Sequence, residues 1–274
     1  MKRIVAISIL FISLLLVLTG CQITGCSYID YQYDNANKYE KGGTTINKTV
    51  NELEIDWLTG EVFVEYHDGE EIIFNESASQ TLEDDNTLRY YLEGTTLHIK
   101  YAKNGRLPLG IGNVEKTLVV KLPKNINLNS AEIETISADI SVTGKQSSIS
   151  DFEIDSISGE ISLDIENTNN IEINSTSGKI DIKANVIKQT EINSVSGDIK
   201  ISTTRLEGCD ISTTSADVDM RLTEHDFIIE HSLTSGRYYC EFMPSIQGST
   251  LAYGDALYEY EISSTSGDLT IMSK

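Results

Sequence analysis

Basic side chains and proline are scarce in this chain of 274 residues. There are 21 Lys plus Arg against 42 Asp plus Glu, a formal charge of −21, and only 3 Pro and 1 Trp. A deficit of positive charge excludes nucleic-acid binding, which needs a basic footprint, and a polybasic membrane surface. Scarce proline excludes mucin-like, collagen-like and proline-rich linker chains. Four cysteines are too few for a disulfide scaffold of this length. The four histidines, His67, His98, His225 and His231, lack zinc-ligand spacing. The sequence carries no nucleophile elbow, P-loop or dinucleotide fingerprint. No catalytic residue, metal ligand or cofactor is therefore assigned, and the chain is not expected to be an enzyme.

The N-terminus reads as an address. Met1-Lys2-Arg3 is a short positive region, and Ile4 to Leu18 is an apolar run interrupted only by Ser8 and Ser13. It is shorter than the ~20 residues of a spanning helix and suits a signal peptide over residues 1–20. The run ends in Leu18-Thr19-Gly20-Cys21, which resembles the lipobox of bacterial lipoproteins. The resemblance implies lipid attachment at Cys21 through a thioether, with acyl chains such as palmitate holding the mature chain to the outer face of the bacterial membrane. A second candidate, Cys26, is set apart from the apolar run by Gln22. Residues 21–46, polar with Tyr28, Tyr31, Tyr33 and Tyr39, are expected to form a tether.

A repeat dominates the rest. Ser-Gly or Ser-Ala recurs at Ser137-Ala138, Ser158-Gly159, Ser177-Gly178, Ser196-Gly197, Ser215-Ala216, Ser235-Gly236 and Ser266-Gly267, 19 to 21 residues apart until the last step. Around each step apolar and polar residues alternate, as in strands with one buried face. With the Gly or Ala as position zero, position −5 reads Ile133, Ile154, Ile173, Ile192, Ile211, His231, Ile262, and positions +2 and +4 are similarly apolar. His231 therefore reads as an interior histidine. A unit of this size closes no core alone and must stack. The expected fold is all-β, a parallel β-solenoid of about seven rungs over residues 130–274, with rungs about 4.8 Å apart. Ser at −1, and Ser or Thr at −3, read as hydroxyl ladders satisfying main-chain groups at the bend. Residues 47–129 read as a degenerate, β-rich cap. The last spacing is 31 residues, which places an insertion at about 241–259, either a lid or a functional loop. Cys209 and Cys240 fall in consecutive repeats on different strands, as buried thiols or as a disulfide.

The lipobox followed by tandem S-x-S-G-D-I-x-I units resembles the bacterial "putative-adhesin" β-strand-repeat lipoproteins, a domain family of unknown function. The resemblance covers residues 45–274 and implies an extracytoplasmic β-solenoid of the cell envelope; it carries over no catalytic residue. Ala138 and Ala216, and Lys179 and Arg237 where an acid is usual, depart from the pattern.

The candidate site is the outer face of the first strand. Position −6 reads Glu132, Glu153, Glu172, Glu191, Asp210, Glu230, Glu261, acidic in every repeat, with no Lys or Arg at −6, −4 or −2. Stacked like charges repel by roughly 1 kcal/mol per pair in water. A bound calcium ion or a cationic peptide or envelope protein would relieve that repulsion, while a merely solvated face keeps an edge-rich fold soluble. The functional reading is a membrane-anchored, non-catalytic binding or scaffold module concerned with adhesion or envelope stress. A carbohydrate-active solenoid enzyme and a self-assembling envelope element stand as alternatives.

Overall fold

A computed structural model describes residues 28–108, 114–144, 148–247 and 250–274. The fold is all-β. Among the described residues, apart from a two-stranded ribbon, every strand joins one mixed sheet of 23 strands. Among the described residues no helix is long and apolar enough to cross a membrane.

Each repeat lays two strands side by side on the preceding repeat in parallel register. Ser148–Ser158 and Ile161–Ile165 are followed by Asn167–Ser177 and Ile180–Lys183, then by Val186–Ser196 and Ile199–Thr203. Ile154 lies beside Ile173, and Ile173 beside Ile192. Ile161, Ile180 and Ile199 form the facing column. These isoleucines are at most 1% exposed, because period-two alternation turns the −5 and +2 residues of each level to the same side.

The bend between the two strands is built from three repeated contacts. Main-chain pairing passes over the residue at −2, which frees its carbonyl. The Ser at −1 of the next level takes that carbonyl: Ser158 Oγ donates to Ile136 O, Ser177 Oγ to Ile157 O and Ser196 Oγ to Thr176 O, each at 3.4 Å. At −3, Ser175 and Ser194 donate to the carbonyls of Ser177 and Ser196 at 3.3 Å. At position zero the backbone of one level sits on that of the level before. Gly178 has φ +125°, and a Cβ there would overlap the carbonyl oxygen of Gly159. Ala138 and Ala216 have no positive φ, which is why alanine is accepted at those two bends.

The order of repeats in space departs from their order in sequence. Gly208–Ser215 pairs with Tyr258–Ser266, and Tyr258–Ser266 pairs in turn with Phe227–Ser235. The last repeat therefore lies between its two predecessors, and the level formed by Phe227–Ser235 and Tyr238–Cys240 ends the ladder. The insertion carries the chain back along the axis, through a hairpin of Ser245–Gln247 and Thr250–Ala252 that pairs with Ile228 and Ile229. The other end is arranged the same way. Glu52–His67 lies between Asn127–Gly144 on one side and Thr96–Lys100 with Lys116–Pro123 on the other. Those outer strands are covered by the antiparallel strands Arg89–Glu93 and Ile72–Ala78. The core closes here on Lys116, whose ammonium lies 4.0 Å from the Tyr101 ring centre and 2.7 Å from Glu76. Burial lowers its pKa to about 8.

One expectation is overturned here, and one open alternative is decided. Residues 28–46 do not form a tether. Tyr28–Tyr31 pairs with Gly105–Pro108, Tyr31 is buried, and Tyr33 packs against Tyr31 and Tyr39 with ring centres 5.5 and 4.8 Å apart. The tyrosine rings supply the apolar area that holds this segment to the body. Cys209 and Cys240 are free thiols. They lie two levels apart, with the 258–273 level between them, so a disulfide is out of reach.

Ile173→Asp or Ile192→Asp should abolish cooperative unfolding in urea, since each would bury an unpaired charge. Gly178→Ala should lower stability by about 2 kcal/mol or more, from strain at positive φ and overlap with Gly159. A urea midpoint equal to wild type in either case would refute the register.

Candidate functional site

All seven sequence-predicted acids fall in one column. Along the axis it runs Glu54, Glu132, Glu153, Glu172, Glu191, Asp210, Glu261, Glu230, each directly beside the next. Glu54, from the first degenerate repeat, extends it, and Glu261 precedes Glu230 because the last repeat is inserted. The parallel column two residues on runs Asp56, Glu134, Asp155, Asn174, Asn193, Ser212, Ser263, Ser232. Charge is therefore densest at the N-terminal end, where both columns are acidic.

That end is closed by bases. His98 lies next to Glu54 in the ladder, with Nδ1 2.7 Å from Glu54 Oε2. Lys100 lies next to Asp56, with Nζ 3.4 Å from Asp56 Oδ2. The strand Thr96–Lys100 thus presents a base to each acidic column. Tyr39 packs on His98 and Tyr91 at the same end, and burial raises its phenol pKa, with Tyr33, Glu54 and Asp56 adding to the rise. Farther along, amides dilute the charge. Asn174 Nδ2 donates to Asp155 Oδ1 at 2.9 Å, and Asn193 Nδ2 to Asn174 Oδ1 at 3.1 Å.

The crowded carboxyls hold protons well above the ordinary range. Burial, then repulsion from Glu134 and Glu153, raises Glu132 to about 7. Burial, then Asp56, raises Glu134 to about 7, with Lys100 opposing. Asp56, Asp155 and Glu172 are raised as well, chiefly by burial. Of this face, Glu132 and Glu134 are the carboxyls that take up protons near neutrality.

At its other end the column opens into a groove of about 670 Å³ lined by Glu207, Asp210, Glu230, Glu259 and Glu261 beside Tyr258. Among the described residues no group of three or more His, Cys, Asp or Glu side chains is placed to hold a metal ion. Cys21 lies outside the described residues. His231, expected inside, is partly exposed on the terminal level and stacks on Tyr238 with ring centres 4.2 Å apart. Sequence reasoning missed Glu54, Asp56, His98 and Lys100. The first two share the register of the degenerate repeat and were within reach. The bases were not, because nothing in the spacing of Thr96–Lys100 predicts that it pairs with Glu52–His67.

Residues 50–273 match the family model described as Toastrack DUF4097. No curated protein matches the chain. Among solved structures it is similar to a "putative cell adhesion protein" from Clostridium sporogenes (12% identity, TM-score 0.41, covering 86% of this chain and 100% of that one). It is also similar to two Parabacteroides distasonis proteins. One is titled a "putative adhesin" (13%, 0.44, covering 84% and 97%) and the other a "putative lipid binding protein" (15%, 0.33, covering 83% and 95%).

A carboxyl whose folded pKa exceeds its unfolded value stabilises the fold below the unfolded pKa, and that stability is lost as pH rises through the folded one. For Glu132 and Glu134 the window runs from 4.5 to about 7. Thermal stability should therefore fall across it, and the double variant Glu132→Gln/Glu134→Gln should flatten the slope. A pH profile unchanged in that variant would contradict the assignment.

Proposed function

Because the chain belongs to the Toastrack DUF4097 family, whose description names no activity, we propose its function from the surface the fold builds: a non-catalytic binding module that holds a cationic partner on its carboxylate face. The carrying observation is the unbroken acidic column from Glu54 to Glu230. Neighbours in such a ladder stand about 4.8 Å apart, and each pair repels by roughly 1 kcal/mol in water and more where partly buried. A polycation spanning several levels turns each of those repulsions into attraction. The acids recur at every level, whereas an active site is a singular cluster, and this favours binding over hydrolysis.

The module is anchored through lipid on Cys21, at the outer face of the bacterial membrane, and serves adhesion or the sensing of envelope stress. The lipobox-like Leu18-Thr19-Gly20-Cys21 supports this. Residues 22–27 separate Cys21 from the first described strand, an extended reach of roughly 20 Å. The body therefore stays near the bilayer, and its charge holds it off anionic headgroups.

Thermal melting of the mature chain carrying Cys21→Ala, with and without oligolysine or calcium, tests the binding reading. A ligand of the native state raises the midpoint by mass action. Oligolysine should raise it, more strongly above about pH 7 than at pH 5, because Glu132 and Glu134 must ionise to bind. Glu172→Gln/Glu191→Gln should reduce the rise; an equal rise in that variant, or none in wild type, would return the face to plain solvation. In cells, Cys21→Ala should release the protein from washed membranes. Retention would refute the anchor.

A further inference from the structure

The two ends of the ladder are finished differently. At the N-terminal end the outer strands are covered by antiparallel strands, and the columns terminate in His98 and Lys100. At the far end the hairpin strand Thr250–Ala252 covers only Ile228 and Ile229. Beyond that point, among the described residues, no strand pairs with the outer edge of Glu230–Ser235. The Phe227 carbonyl accepts the Tyr253 N–H on this side. By strand alternation, the main-chain groups of His231 and Leu233 face the same open edge. Residues 230–235 contain no proline, lysine or arginine, which are among the usual means of discouraging pairing. Leu233 and Tyr238 are only partly buried, and Tyr239 is 55% exposed. Among the described residues, the −6 column ends here on Glu230 with no base paired beyond it in the ladder.

We propose that this edge is a strand-addition site for an extended basic–apolar polypeptide segment. The incoming strand pairs with His231 and Leu233 through its main chain, sets a Lys or Arg beside Glu230, and turns apolar side chains toward Leu233 and Tyr238. The chain itself shows the pattern, since His98 and Lys100 end the acidic columns in this way at the opposite pole. Main-chain bonds supply affinity and alternate side chains supply selectivity, as in β-augmentation generally. A second copy does not suit the edge. Phe227–Ser235 contains no base to set against Glu230, and the opposite pole is covered. This edge and the carboxylate face have Glu230 and the sign of the partner's charge in common, while main-chain pairing belongs to the edge alone.

The test uses the mature chain carrying Cys21→Ala and a fluorescent hexapeptide of alternating lysine and valine. Two N-methylated forms accompany it, one methylated on every lysine nitrogen and one on every valine nitrogen. Only one set of amides can face the edge. One methylated form should therefore bind roughly tenfold or more weakly while the other stays near the parent. Glu230→Lys should weaken the parent peptide by a similar factor and admit its glutamate–valine counterpart. Equal binding of both methylated forms, or binding indifferent to Glu230→Lys, would overturn strand addition. If Glu172→Gln/Glu191→Gln weakens binding and Glu230→Lys does not, the peptide lies on the carboxylate face. That result would refute the edge and leave the face standing. A concentration-dependent dimer in sedimentation that excludes the peptide would assign the edge to a second copy and also overturn the proposal.

Discussion

Everything in this molecule rests on how one bend sits on the next. With Gly178 stacked over the Gly159 carbonyl, there is no room for a side chain between levels. That close approach lets the strands on both sides of the bend stay in parallel register. At three successive bends the −2 carbonyl is taken up by a serine hydroxyl from the neighbouring level. A buried carbonyl without a partner costs about 1–3 kcal/mol, and where it forms the part-buried seryl contact offsets part of such a cost. The aspartate after the bend adds a third tie, as Asp217 accepts the Asp268 N–H and Asp268 accepts the Arg237 N–H. Arg237 stands on the level where the ladder ends, so no following N–H needs an acid there. Its guanidinium turns back onto Asp268 at 2.6 Å.

Strict stacking has an electrostatic consequence. A repeat copies its outward residues as faithfully as its inward ones, so one acid per repeat becomes a rod of charge. The fold limits the strain by placing bases at one pole and by replacing carboxylates with Asn and Ser along the second column. The remaining charge is concentrated on Glu132, Glu134 and their neighbours, where protons bind near neutral pH. The same regularity that makes the core simple makes the surface a polyelectrolyte.

The parts fixed by periodicity were legible in the sequence. Alternation gives the buried isoleucine columns, the fixed offset from each Gly gives the acidic column, and the repeated serines give the hydroxyl ladder. What escaped depends on the path of the chain between repeats. The 31-residue gap before Ser266-Gly267 marks an interruption, but length alone does not say that the chain doubles back and inserts its last repeat. The tyrosines of residues 28–39 have the composition of a loose segment; only their partners, such as Tyr91 and the strand Gly105–Pro108, reveal them as part of the body. His98 and Lys100 escaped for the same reason, since their place depends on a long-range pairing.

The insertion of the last repeat between its predecessors bears on how the protein is made. A ladder laid down in sequence order could grow level by level as the chain emerges from the ribosome. Here the level of Phe227–Ser235 is synthesised before the strands it rests on, Tyr258–Ser266 and Leu269–Ser273. It has no seat until Tyr258–Ser266 and Leu269–Ser273 have been made. At the other pole Glu52–His67 likewise waits for strands on both its flanks. Residues 258–273 act as a keystone rather than a coping stone, and a nascent chain stopped short of them lacks an inner course of the wall.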